Sequence, residues 1–208
     1  MEKIDIPRRT VYRLSLYQRC LLKLLEQEVD TVSSEDLAAA AGVKPTQLRK
    51  DLGYVGQFGT RGLGYAVKTL SEAISGVMGM SVLQPVVIVG VGNLGSALLH
   101  YSGFRKEGFE LIAAFDADPE HVKSTTREMG VPVHHVDQLG EYVQQHGVRM
   151  AIIAVPEPSG QEVADTLIEA GVAAILNFSP AVLNVPEGVT VNHVDLAAEL
   201  GSLGFFAS

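Results

Sequence analysis

Apolar positions along this chain follow two rhythms, and the change falls near Met78-Gly79-Met80-Ser81. Before it the period is helical. Leu14, Leu21, Leu22, Leu24 and Leu25 predict a first helix from about Thr10 to Gln27. Ser33-Ser34-Glu35-Asp36 is a cap signal for a short second helix, Glu35 to Ala41, stopped by Gly42. Pro45 suits the first turn of a third helix running to about Leu52. Gly53, Gly56, Gly59, Gly62 and Gly64, interleaved with Tyr54, Phe58 and Tyr65, predict a tight β-hairpin. A fourth helix, about Val67 to Val77, leads to the boundary.

After Pro85 short β-branched runs alternate with segments of helical composition. The runs are Val86–Val89, Leu111–Phe115, Ala151–Val155 and Ala174–Leu176. Such alternation predicts βαβ units, hence a parallel sheet with helices on both faces. The fold class is α/β, an N-terminal winged helix-turn-helix followed by a Rossmann-type doubly wound parallel sheet. The expected domains are 1–80 and 81–194, with a C-terminal helical segment at 195–208.

Gly90-Val91-Gly92-Asn93-Leu94-Gly95 fits G-x-G-x-x-G, follows an apolar run directly and opens a helical segment. Asp116 closes the next strand 21 residues beyond Gly95. In this setting the first glycine permits a tight turn and the second lets a pyrophosphate approach the backbone. The third lets helix and strand pack closely, while the helix N-terminus supplies N–H donors and positive dipole. Asp116 can accept from both ribose hydroxyls and repel a 2′-phosphate, so NAD(H) is expected over NADP(H). Three glycines can also serve merely as a βα turn. Pro156-Glu157-Pro158-Ser159 and Asn177-Phe178-Ser179-Pro180 each follow a predicted strand, so Pro156, Ser179 and Pro180 either border a nicotinamide or make ordinary turns.

Charge divides along the same line. The chain of 208 residues carries a net −8, yet residues 1–80 hold 11 Lys/Arg against 9 Asp/Glu, whereas 81–208 hold 5 against 15. Between Lys44 and Lys68 the bases Lys44, Arg49, Lys50, Arg61 and Lys68 face only Asp51. The asymmetry suggests that one part meets phosphate and the other does not. On a recognition helix Thr46, Gln47, Arg49 and Lys50 supply residue types that read base edges or meet phosphate, and Arg61 at the hairpin tip could enter a minor groove. The bland alternative is a helical dimerisation domain with a solvated basic face.

Other chemistries find little support. No catalytic constellation is present, because a dehydrogenase of this type needs a further domain or a dedicated acid/base group to hold substrate. His134-His135 with Asp137 could suggest a metal, but adjacent strand residues point to opposite faces, and a solvated strand end is expected. Lone Cys20, the absence of a signal-peptide-like start and short broken apolar stretches read as a cytoplasmic protein with no membrane partner.

The stretch Thr46 to Tyr65 resembles the recognition helix and wing of the redox-sensing transcriptional repressor Rex family. Val89–Tyr101, Phe115-Asp-Ala-Asp-Pro119, Ile175–Pro180 and Val194-Asp-Leu196 resemble its other signatures. The resemblance implies a homodimer that binds double-stranded operator DNA when NAD⁺ dominates and leaves it when NADH rises. It implies cofactor contacts from Gly90, Val91, Gly92, Asn93, Leu94, Gly95, Asp116 and Asp118, with Tyr101 near the nicotinamide. It further implies that Asp195 pairs with Arg19 in one state and Tyr101 in the other, and that the C-terminal helix, about Asp195 to Phe206, is exchanged between subunits. Leu196, Leu200 and Leu203 share one helical face, in keeping with such a partner. The chain stops at Ser208, short of the longer tail usual in the family. The competing readings are a small NAD-dependent oxidoreductase with a basic dimerisation arm, and a nucleotide- or CoA-binding scaffold.

Overall fold

The computed structural model describes residues 5–60, 63–119 and 130–207. Two compact units divide the chain, residues 1–82 and 83–208.

In the first unit α1 (Arg8–Glu26) buries Leu14, Tyr17, Gln18 and Leu21 along one face. It starts two residues before the expected Thr10, and the Pro7 carbonyl accepts from the amides of Thr10 and Val11. After β1 (Thr31–Val32), Ser33 caps α2 (Ser34–Ala40), its Oγ accepting from the Asp36 amide at 3.0 Å. Gly42, at φ +68°, makes the turn into α3 (Pro45–Leu52). Then follow β2 (Tyr65–Ala66) and α4 (Val67–Val77). Leu14, Tyr17, Leu21, Leu37, Leu48, Leu70 and Ile74 form the core. The expected hairpin takes a different form. β2 pairs antiparallel with β1, and Thr60 bridges Gly64 at the wing. A Cβ at Gly64 would overlap the Val32 carbonyl oxygen, so glycine alone lets the wing seat on β1.

One buried carboxylate ties α1 to α3. Asp51, 1% exposed, accepts from Arg13 Nε at 2.6 Å and Nη2 at 2.7 Å, and from the Tyr17 hydroxyl at 2.8 Å. Gln47 Nε2 donates to it at 2.9 Å, and the Thr10 hydroxyl at 3.4 Å. An unpaired buried carboxylate is costly, and the two-point guanidinium grip offsets that cost. The basic tract's only acid is therefore internal and does not dilute its surface charge.

Among the described residues, the second unit is built on a six-stranded, wholly parallel sheet in the order β5-β4-β3-β6-β7-β8. Its strands are β3 (Gln84–Val89), β4 (Phe109–Asp116), β5 (Val133–His135), β6 (Met150–Ile153), β7 (Ala174–Asn177) and β8 (Thr190–His193). The helices among the described residues are α5 (Asn93–Leu99), α6 (Gly103–Lys106), α7 (Leu139–His146), α8 (Glu157–Glu169) and α9 (Leu196–Ala207). Val87, Val89, Phe115, Leu139, Ile153 and Leu167 pack on one face of the sheet, and Val86, Ile88, Leu99 and Ile152 on the other. Strand order reverses direction at β3 and β6, the switch point where doubly wound sheets hold ligands. Contrary to the expected solvated strand end, His134 packs among Phe115 and Tyr142 with its Nε2 buried, whereas His135 is exposed beside Asp137. Among the described residues no three His, Cys, Asp or Glu side chains gather to hold a metal.

Burial pushes the Asp51 carboxyl up, but the hydrogen bonds from Arg13, Tyr17 and Gln47 outweigh it and hold the group below the ordinary carboxylate range. Its contribution to stability is complete above the unfolded value of about 3.9 and lost as pH falls through the lower native value. Hydrogen exchange of the α1 amides should show that stability draining away below about pH 4. Asp51→Asn should cost roughly 3–5 kcal/mol at neutral pH and flatten the acid dependence. Equal acid slopes in the two proteins would remove Asp51 from this role.

Candidate functional site

The cleft of the second unit lies at the carboxyl ends of β3, β4 and β6, with a volume of about 800 Å³. Val89, Gly90, Gly92, Asp116, Pro156 and Ser159 line it, joined by Val136, Asp137 and Glu162. Gly90 turns the chain out of β3 at φ +93°, and a Cβ there would meet the Ala154 carbonyl oxygen at 2.6 Å. A Cβ at Gly95 would overlap the Gly90 carbonyl oxygen. Position 92 differs: its Cβ would meet no protein atom within 4 Å, so nothing in the fold demands a glycine there. The open space above this backbone is what a close-approaching pyrophosphate needs, and Gly92 N-caps α5. These residues fit a dinucleotide.

Asp116 is fixed by the backbone on both oxygens. Oδ2 accepts from the Val91 amide at 2.7 Å and Oδ1 from the Asp118 amide at 2.9 Å. The carboxylate therefore braces the glycine-rich turn besides standing in the cleft. Leu94 sits apart from it, on a smaller pocket of about 290 Å³ formed with Phe178, Ser179, Pro180, His193 and Asp195.

That pocket depends on Asn177, fully buried at the end of β7. Its Oδ1 accepts from the Ser179 amide at 3.0 Å. Its Nδ2 lies 3.1 and 3.0 Å from the carbonyls of Ser179 and Ala181, and 3.0 Å from His193 Nδ1. A Cβ at Gly160 would meet Ala181 Cβ at 2.6 Å, so α8 approaches this loop closely only through glycine. From the sequence, Asn177 was marked only as part of the loop and Asp137 only beside His134 and His135, and His193 and Glu162 were given no place in a site. An amide closing a short apolar strand is the one signal that could have pointed to Asn177.

Tyr101, just beyond α5, is 55% exposed and stands edge-on to Phe104 at 5.0 Å. Asp195 N-caps α9, its Oδ1 accepting from the amides of Ala197 and Ala198 at 2.9 Å each. In the first unit Arg19 is exposed on α1.

Of the expected DNA-reading residues, Lys44, Thr46, Arg49 and Lys50 are exposed on or before α3 and Gln47 is half-buried. Arg61 lies outside the described residues. Arg49 Nη1 donates to Ser34 Oγ at 2.9 Å and pairs with Glu35 at 3.4 Å, an exposed link that solvent screens and another anion can replace. Gln47 is engaged by Asp51.

A helix-turn-helix with a glycine-seated wing, followed in one chain by a dinucleotide cleft, defines a ligand-responsive DNA-binding regulator. A family model described as "Putative DNA-binding protein N-terminus" matches residues 5–53, and one described as "CoA binding domain" matches residues 83–181. The redox-sensing transcriptional repressor Rex of Streptomyces coelicolor is 52% identical over 96% of this chain and 77% of its own length. That of Desulfitobacterium hafniense is 48% identical over 99% and 97%. The crystal structure of RSP in complex with beta-NAD⁺ and operator DNA matches with a TM-score of 0.86 and 32% identity, covering 98% of this chain and 93% of that one. RSP in complex with beta-NADH matches at 0.81 and 30%, over 97% and 94%. The chain belongs to the redox-sensing transcriptional repressor Rex family, and it is a repressor rather than an enzyme.

Proposed function

We propose that this repressor reads the NADH/NAD⁺ ratio through the cleft of its second unit, holding operator DNA when NAD⁺ dominates and releasing it as NADH rises. The observation that carries this reading is the Gly90–Gly95 turn braced by Asp116, in the same chain as a basic helix-turn-helix. Gly90, Gly92 and the amides opening α5 would hold the pyrophosphate, and Asp116 and Asp118 would face the adenosine ribose. Pro156, Ser179, Pro180 and Tyr101 would border the nicotinamide. When bound, that ring supplies a difference of one charge between its oxidised and reduced forms. Lys44, Thr46, Gln47, Arg49, Lys50 and Arg61 would meet the operator.

The working unit in this reading is a homodimer. Leu196, Leu200, Leu203, Phe205 and Phe206 are each 59–80% exposed, and α9 buries none of its residues within its own chain. Apolar surface of this kind is costly in water, and a second copy receiving the helix would cover it.

Two outcomes are expected. Calorimetry should show NADH binding more tightly than NADPH, with Asp116→Ala narrowing the gap; equal affinities in the unmodified protein would rule this out. Asp116→Ala should also lower affinity for both cofactors, because the Val91 amide loses its brace.

The function itself is tested by operator binding across a range of NADH/NAD⁺ ratios. Affinity should fall as NADH rises, and less steeply in Asp195→Ala if that residue alternates between Arg19 and Tyr101. A ratio-independent affinity would contradict the reading, and an unchanged response in the mutant would leave Asp195 a cap.

A further inference from the structure

Gln47 and Asp51 stand one helical turn apart on α3, a spacing at which side chains of these types meet. Most such pairs are solvated and loose. Here the acceptor is a carboxylate 1% exposed, gripped at two points by Arg13 and once by Tyr17. An ionised carboxylate only accepts hydrogen bonds, so it selects one of the two ways a glutamine amide can face. Nε2 must turn toward Asp51, as its 2.9 Å contact with Oδ1 shows, and Oε1 must turn away. Glutamine reads adenine through two bonds at once, one donated and one accepted, so an amide turned the wrong way presents the wrong order of groups.

We propose that Asp51 is a positioning residue for sequence recognition, anchored by Arg13 and Tyr17 of α1 and holding the Gln47 amide in the orientation with which α3 reads a base pair. The inference rests on the reading of α3 as the DNA-contacting helix. One of Gln47's amide hydrogens stays on Asp51, while Oε1 and the second hydrogen face outward to the base edge. The orientation is set before DNA arrives, so binding need not order it. The network thereby links a buried carboxylate and its part-buried guanidinium partner to discrimination at the surface.

The test uses the full chain, an operator selected by the unmodified protein from a random duplex pool, and a panel of that operator with each base pair substituted in turn. Gln47→Ala should lose preference at one base pair in each half-site, on the order of tenfold. Asp51→Asn should lose preference at that same base pair, and the double variant should lose no more than either alone. Tyr17→Phe, which removes one bond from Asp51 and keeps the ring in its place, should weaken the same preference partially. It provides the measurement should Asp51→Asn fail to fold. Gln18→Leu is the control: it breaks the buried bonds from Gln18 to Ser71 and Ser75 on α4, so it should lower stability and leave the base-pair profile intact. If Tyr17→Phe and Asp51→Asn weaken binding equally across the panel, Asp51 is a structural tie only and the proposal fails. If Gln47→Ala leaves every base preference intact, Gln47 reads no base and the proposal fails at its other end. Failure of the unmodified protein to select any operator would instead contradict the reading of α3.

Discussion

The nucleotide cleft depends on how closely α5 can start beside β3. Gly90 leaves the strand in a conformation that side-chain-bearing residues seldom adopt, and its carbonyl oxygen occupies the place where a Cβ at Gly95 would stand. Helix and strand therefore meet through bare backbone. That approach brings Gly92, the N-cap of α5, to the cleft, and Asp116, at the end of the neighbouring strand, accepts from the Val91 amide and keeps the turn in shape. The two glycines at 90 and 95 serve the fold, and the one at 92, with open space over it, serves whatever approaches.

A comparable economy operates in the first unit, with charge in place of close packing. Burying Asp51 would destabilise the unit were it alone, yet its bonds reach Thr10, Arg13 and Tyr17 on α1 and Gln47 on α3. Replacing the whole group by well-packed apolar residues could give equal or greater stability. What an apolar replacement could not do is orient the amide of Gln47. The wing is set by backbone instead, where Gly64 lets the chain pass against Val32. Both devices give the helix-turn-helix a fixed surface.

Much of this was legible in the chain. Local signals placed α3 and α4, because Pro45, the cap-forming residues and the helical apolar period act within a few residues of each other. The glycine motif and Asp116 marked the cleft for the same reason. What escaped were features made by distant partners. β8 is short and carries Asn192 and His193, so only its pairing with β7 makes it a strand, and at the expected strand end of β5 it is packing against Phe115 and Tyr142 that buries His134. The wing's strand pairs with Thr31–Val32, more than thirty residues earlier, which no hairpin pattern shows. Asp51 stood out as the one acid in a basic tract, with nothing local to show that it is buried. Arg13 and Tyr17, four apart on the α1 face that carries Leu14 and Leu21, were the available hint that a buried partner faced them.

In the proposed function, one chain couples a nicotinamide dinucleotide to DNA through two mutually opposed binding equilibria. Such coupling is reciprocal by necessity: the factor by which NADH weakens operator binding must equal the factor by which operator weakens NADH binding. The direct measurement is the affinity for NADH with and without saturating operator, set beside the affinity for operator with and without saturating NADH. Both ratios should exceed one and agree. NADH binding with the same affinity to the free protein and to its operator complex would contradict it.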